Sequence, residues 1–199
     1  GVLMFFGVDE ARISHSISAF NTADAFGGGG MFLYLFGTLH VTHCTISDNG
    51  VKEGRYIPWY SETYHVGMGL GALHGQTAVV TNCVFYRNSA TQMQGDGGGF
   101  FMFEVPAMIV TGCHFEGNEA DVGGGLYISD GALTVSNSTF LRNFASRAAG
   151  AYCTKDATRD EEFVLNHPAI WTNCTFESNE CNGIAPSVVF ARTTPLHSL

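Results

Sequence analysis

Charge is scarce and lopsided in this 199-residue chain. Asp, Glu, Lys and Arg make up 14% of it, against roughly 25% in ordinary soluble domains, and lysine is reduced to Lys52 and Lys155. A formal net charge of -9 without a basic cluster argues against nucleic acid and against an anionic bilayer as partners, since both are held by cationic patches. No apolar run reaches the roughly 18 residues of a membrane-spanning helix. The opening GVLMFFG has neither a basic n-region nor an initiator Met, so it does not read as an intact signal peptide; a mature product or a piece of something longer is expected. There is no CxxC pair among the six cysteines, which disfavours zinc. The glycine clusters are not followed by GK[ST], so a phosphate-binding loop fails on context.

What the chain does have is repetition. NSTFLRNFA (137–145) aligns with NCVFYRNSA (82–90), GCHFEGNEA (112–120), NCTFESNEC (173–181), HCTISDNGV (43–51) and HSISAFNTA (15–23) in one nine-residue frame. The anchor position of the frame holds Ser16, Cys44, Cys83, Cys113, Ser138 and Cys174. Successive copies lie 25 to 39 residues apart. Three residues before the anchor stand Ile13, Val41, Val80, Val110, Val135 and Trp171, and five before it Ala11, Leu39, Ala78, Met108, Leu133 and Ala169. A row of Ser and Thr separates that apolar parity from the anchor. Period two with β-branched residues marks a half-buried strand. Next come His15, His43, Asn82, Gly112, Asn137 and Asn173, mostly types that tolerate positive φ, and a tight bend is expected there.

After the bend a second short strand turns the anchor inward and, two residues on, Ser18, Ile46, Phe85, Phe115, Phe140 or Phe176. An Asn follows in every copy: Asn21, Asn49, Asn88, Asn118, Asn143 and Asn179. A third short segment is expected after each glycine cluster. Units of this length with three strands and no helical period predict an all-β fold, a single-stranded right-handed parallel β-helix of six to seven coils, spanning 1–199 as one domain. Two insertions interrupt it, at about 50–66 and 153–167. Coils stack at about 4.8 Å, so six of them make a rod roughly 30 Å long and each sequence column becomes a ladder.

The ladders have structural work to do. Phe85, Phe115, Phe140 and Phe176 fill the cross-section, and the Asn column satisfies backbone groups at a corner. Four cysteines share an anchor that also accepts Ser, so buried free thiols acting as small hydrophobes are the favoured reading. Disulfides, with Cys153 and Cys181 as participants, are the alternative.

Candidate chemistry is thin. Glu116 and Glu177 project outward two coils apart, roughly 9 to 10 Å between backbones by strand spacing, near the upper separation of an inverting glycosidase pair. Arg87 and Arg142 in the next position offer a simpler account, an alternating surface ion-pair ladder. His40 and His43 lack a third ligand nearby, so no metal is assigned and no cofactor is implied. The first insertion brings Tyr56, Trp59, Tyr60 and Tyr64 onto a long loop suited to stacking on sugars, to packing in a neighbouring subunit, or to closing back as a lid. The second is charged and reads as a solvated excursion. N-glycosylation sequons occur at Asn137 (NST) and Asn173 (NCT); both lie in the bend column, where an inward-turned side chain would be unavailable.

The GGGL at 123–126 and the FxxN of Phe85 to Asn88, Phe115 to Asn118, Phe140 to Asn143 and Phe176 to Asn179 resemble the repeats of chlamydial polymorphic outer membrane proteins, which are autotransporter adhesins. The chain is similar more broadly to the pectate-lyase-type β-helix class, which includes polysaccharide lyases and hydrolases. Ser18 and Ile46 depart from the Phe column, and no autotransporter barrel is present in the sequence. A solenoid exposes strand edges at its terminal coils unless they are capped, and neither GVLMFFG nor APSVVFARTTPLHSL reads as a cap. The expectation is therefore a non-enzymatic, extracellular or cell-surface structural or adhesive protein. It would associate end to end into a filament, with glycans as further partners. The alternative is a polysaccharide lyase, glycoside hydrolase or sugar-binding module on the same fold.

Overall fold

The computed structural model describes residues 3–23, 29–51, 68–90, 96–129, 131–147, 149–154, 169–182 and 189–190. Tyr56, Trp59, Tyr60 and Tyr64, and the second insertion from residue 155 onward, lie outside the described residues. All strand pairs are parallel, and each strand pairs with its equivalent in the next coil.

One face is a ten-stranded sheet and a second a six-stranded sheet. The third face holds a two-stranded and a three-stranded piece, joined through bridges from Gly50 to Ser89 and from Ser89 to Glu119. The ten-stranded sheet begins with three twelve-residue strands, Leu3–Ser14, Met31–Thr42 and Leu70–Thr81. It then divides: Leu70 to Leu73 pairs with Phe100–Phe103, while Thr77 to Thr81 pairs with Ala107–Thr111. This differs from three short strands per coil. In the first three coils the first segment is the first half of a long strand, kinked in the middle by a single left-handed residue at Gly7, Leu35 or His74; in the next coil the equivalent residue, Glu104, lies between two separate strands (φ 52 to 65° for the four). One such residue redirects the chain without interrupting the ladder; Glu104 N–H still donates to Ser129 O at 3.1 Å.

The expected apolar parity is buried. Ile13, Val41, Val80, Val110 and Val135 form one inward column, and Ala11, Leu39, Ala78, Met108 and Leu133 the next. Each is in register with its neighbour, for example Ala11 with Leu39, and Val110 with Val135. All six residues of the expected bend have positive φ, from 49 to 64°. A second left-handed column, Phe20, Asp48, Arg87, Gly117, Arg142 and Ser178 (φ 50 to 63°), has no common residue type. It immediately precedes the inward Asn, whose hydrogen bonds hold the backbone there.

The core is a stack. Phe85 and Phe115 lie 4.7 Å apart, Phe115 and Phe140 4.6 Å, Phe140 and Phe176 4.8 Å, with interplanar angles of 7° or less. Gly69, Gly99 and Gly125 form a column against the Asn ladder, where a Cβ would come within 2.2 to 2.5 Å of the next coil's glycine carbonyl. Only a residue without a side chain lets the coils close there.

Candidate functional site

Two interior ladders determine what the outer face can do. In the first, the anchor side chain clamps the bend. Ser16 and Ser138 hydroxyls donate to the carbonyls of Ser14 and Ser136 at 2.8 Å. The thiols of Cys44, Cys83, Cys113 and Cys174 make the same bond, to the carbonyls of Thr42, Thr81, Thr111 and Thr172, at 3.2 to 3.5 Å. The anchor also accepts from the preceding coil: Cys44 N–H donates to Cys83 Sγ (3.5 Å) and Cys113 N–H to Ser138 Oγ (3.1 Å). Cys44, Cys83, Cys113, Cys174 and Cys181 are free thiols. The four in the anchor column are hydrogen-bonding clamps rather than inert hydrophobes, which explains why the column accepts both Ser and Cys, while Cys181 donates to Ser146 O instead. Contact with the Cys113 sulfur, together with burial, pushes the Cys83 thiol well above its ordinary value, and burial raises Cys44 too.

The second ladder is the Asn column. Asn118 Nδ2 donates to Phe85 O in the preceding coil (2.9 Å) and to Asn143 Oδ1 in the following one (3.0 Å). Its Oδ1 accepts from Asn88 N–H (3.1 Å) and Asn88 Nδ2 (3.0 Å). Asn49, Asn88 and Asn143 repeat this arrangement. Asn21 and Asn179 belong to the same ladder in the first and sixth coils.

The outward side of the six-stranded sheet carries Glu116 and Glu177. Glu116 and Glu177 are two coils apart in one register column, with Leu141 between them. His114 Nε2 lies 2.7 Å from Glu116 Oε2, and Arg142 pairs with Oε1. Hydrogen bonds from His114 and then Arg142 hold the Glu116 carboxyl below its ordinary value, so it is ionised at neutral pH and unsuited to giving up a proton as a general acid. Arg87 pairs with Asp48 at 2.6 Å and lies 4.6 Å from the centre of the Tyr86 ring. The close ion pairs are thus Arg87 with Asp48 and Arg142 with Glu116, and the more distant Glu177 adds to the attraction on Arg142.

His114 Nδ1 lies 2.5 Å from Thr139 Oγ1, so Thr139, His114 and Glu116 form a hydroxyl–imidazole–carboxylate chain. Acyl transfer through such a chain also needs donors aimed at an oxyanion. The backbone N–H groups of His114, Thr139 and Thr175 are spent on the carbonyls of Cys83, Cys113 and Ser138. The chain links adjacent coils through Thr139 and His114.

The bend column projects outward. His15 and His43 stack at 4.8 Å with rings 3° from parallel, Asn82 Nδ2 lies 3.4 Å from His43 Nε2, and Asn173 Nδ2 donates to Asn137 Oδ1 at 3.4 Å. Asn137 and Asn173 are exposed. His40 instead lies 3.8 Å from Glu10, apart from the stacked pair. Among the described residues no group of three His, Cys, Asp or Glu side chains is placed to hold a metal ion, and no helix is long and apolar enough to cross a membrane. Another outer cluster, at the kink of the long sheet, was not signalled by the repeat frame. There Phe6 stacks on Tyr34 at 5.0 Å, and His74 contacts Glu104 at 2.7 Å and meets Tyr34 and Phe103 edge-on.

Residues 3–187 match the family described as "Right handed beta helix region". A stretch of 78 residues is 35% identical to metabotropic glutamate receptor-like protein R of Dictyostelium discoideum, covering 39% of this chain and 5% of that protein. The chain thus matches about one twentieth of the length of that curated relative. No solved structure matches the chain.

Proposed function

We propose that this chain, which belongs to the right-handed β-helix family, is a non-enzymatic structural or adhesive element outside the cell or at its surface, extended axially by head-to-tail stacking with further copies. The observation that carries the reading is the direction of the ladders. Asn49, Asn88, Asn118 and Asn143 each donate N–H and Nδ2 to the coil after and Nδ2 to a carbonyl of the coil before, so one coil is a template for the next. In the sixth coil Trp171, Cys174, Phe176 and Asn179 are half-buried, whereas their counterparts in the fifth, Val135, Ser138, Phe140 and Asn143, are at most 0% exposed. The chain itself goes on past this coil, with Val189 and Phe190 pairing with Tyr152 and Cys153, and further copies would extend the same stacking. The receptor-like name of the Dictyostelium relative fits a cell-surface setting. The ion-paired, depressed Glu116 weighs against that residue as the general acid of the glycosidase alternative.

Light scattering and electron microscopy over a range of protein concentrations test the reading. Mass that grows with concentration, with rods lengthening at constant width, is the expected result. A monomer at every concentration sinks it. So does cleavage of an acidic or neutral polysaccharide that disappears in Glu116→Gln and Glu177→Gln.

A further inference from the structure

We propose that Asn137 and Asn173 carry N-linked glycans, placed one above the other on a single corner of the solenoid. The inference rests on the extracellular reading, since the modification requires passage through a secretory pathway. Both asparagines head an N-x-[ST] acceptor, and both side chains are exposed at left-handed bends with φ of 50 and 52°. The flanking residues fix them as neighbours in adjacent coils, because Ser136 is in register with Thr172 and Thr139 with Thr175.

The frame of the repeat separates these asparagines from the buried ones. Two residues after each Asn of the inward ladder stands Ala23, Val51, Ala90, Ala120, Ala145 or Cys181, a small apolar row without the Ser or Thr of the N-x-[ST] acceptor. Two residues after the bend column the position faces outward, and there Thr139 and Thr175 supply the hydroxyl. A glycan on Asn118 would disrupt four hydrogen bonds inside the rod. A glycan on Asn137 or Asn173 enters solvent, and a glycosylated Asn173 amide retains one N–H with which to keep its bond to Asn137 Oδ1.

The donor is an oligosaccharide joined through its anomeric carbon to a polyprenyl diphosphate. Asn Nδ2 forms the new C–N bond and gives up one proton, while the anomeric C–O bond breaks and the diphosphate leaves with the electron pair. Transfer comes before the coil closes, because in the folded rod Ser138 is fully buried and Thr139 Oγ1 is engaged by His114. The finished glycans shield one lateral corner and leave the axial faces open.

The test is secretion of the full chain from eukaryotic cells behind an added leader peptide, so that its outcome does not depend on where the native protein resides. Glycan release by an amidase in ¹⁸O water should convert both asparagines to labelled aspartate in peptide maps. Asn137→Asp and Asn173→Asp, which keep a residue tolerant of positive φ, should each remove one glycan, and the double variant both. A folded secreted chain with either site unlabelled overturns the paired arrangement. If the chain is retained rather than exported, the same map of the retained material decides the matter.

Discussion

At the scale of the residue, the anchor position shows how one hydrogen bond selects side chains of different element type. A hydroxyl or a thiol two residues past the last strand carbonyl reaches back to it, at 2.8 Å from Ser138 and 3.2 Å from Cys83. Ala at the same site has no donor for that carbonyl. Cys83→Ser is therefore expected to fold with stability close to that of the parent. Cys83→Ala is expected to lose the bend clamp and the acceptor for Cys44 N–H, each net contribution being about 0.5 to 1.5 kcal/mol. Urea denaturation of the two variants checks this, and equal losses for Ser and Ala would show that the column is only a packing site. The cysteines illustrate what was legible in the sequence: their shared inward position could be read from alternation, but a polar function could not, because burial alone describes a small hydrophobe equally well.

At the scale of the element, the Asn ladder converts a run of strands into a directional stack. Asn118 donates through Nδ2 to Phe85 O and Asn143 Oδ1, and accepts through Oδ1 from Asn88. Asn118→Asp keeps the acceptor and exchanges both donor bonds for a negative oxygen facing two carbonyl-type oxygens. Unpaired burial of this kind costs about 1 to 3 kcal/mol per group, more when charged. Protonating the introduced carboxyl restores one donor, so the defect should be larger at neutral pH than in acid; thermal unfolding across that range measures it, and a pH-independent defect would contradict the donor role. The corner itself was legible as a column of Asn. The left-handed residue before it was not, since Phe20, Asp48, Arg87, Gly117, Arg142 and Ser178 share no intrinsic preference and take that conformation because the ladder on their C-terminal side imposes it. The kink in the long strands escaped for the same reason: Leu35 and His74 are not turn formers, and the twelve-residue strands around them read as two separate segments.

At the scale of the whole molecule, each coil touches only the coils on either side, and stability is the sum of those interfaces. Phe115 is stacked on both faces, by Phe85 and Phe140, and is fully buried. Replacing it with Ala should cost about 3 to 5 kcal/mol, the range for emptying a ring-sized site in a packed core. Phe176 is stacked on Phe140, tilted against Trp171, and half-buried, so Phe176→Ala should cost distinctly less in dilute solution. Axial stacking makes the second cost depend on concentration while the first does not, because a copy laid over the sixth coil stabilises the folded state by mass action. Unfolding midpoints of the parent, Phe115→Ala and Phe176→Ala over a wide range of protein concentration separate the cases. A Phe176→Ala penalty that rises with concentration towards the Phe115→Ala value places that ring in an interface between copies, and a constant penalty confines it to its own chain.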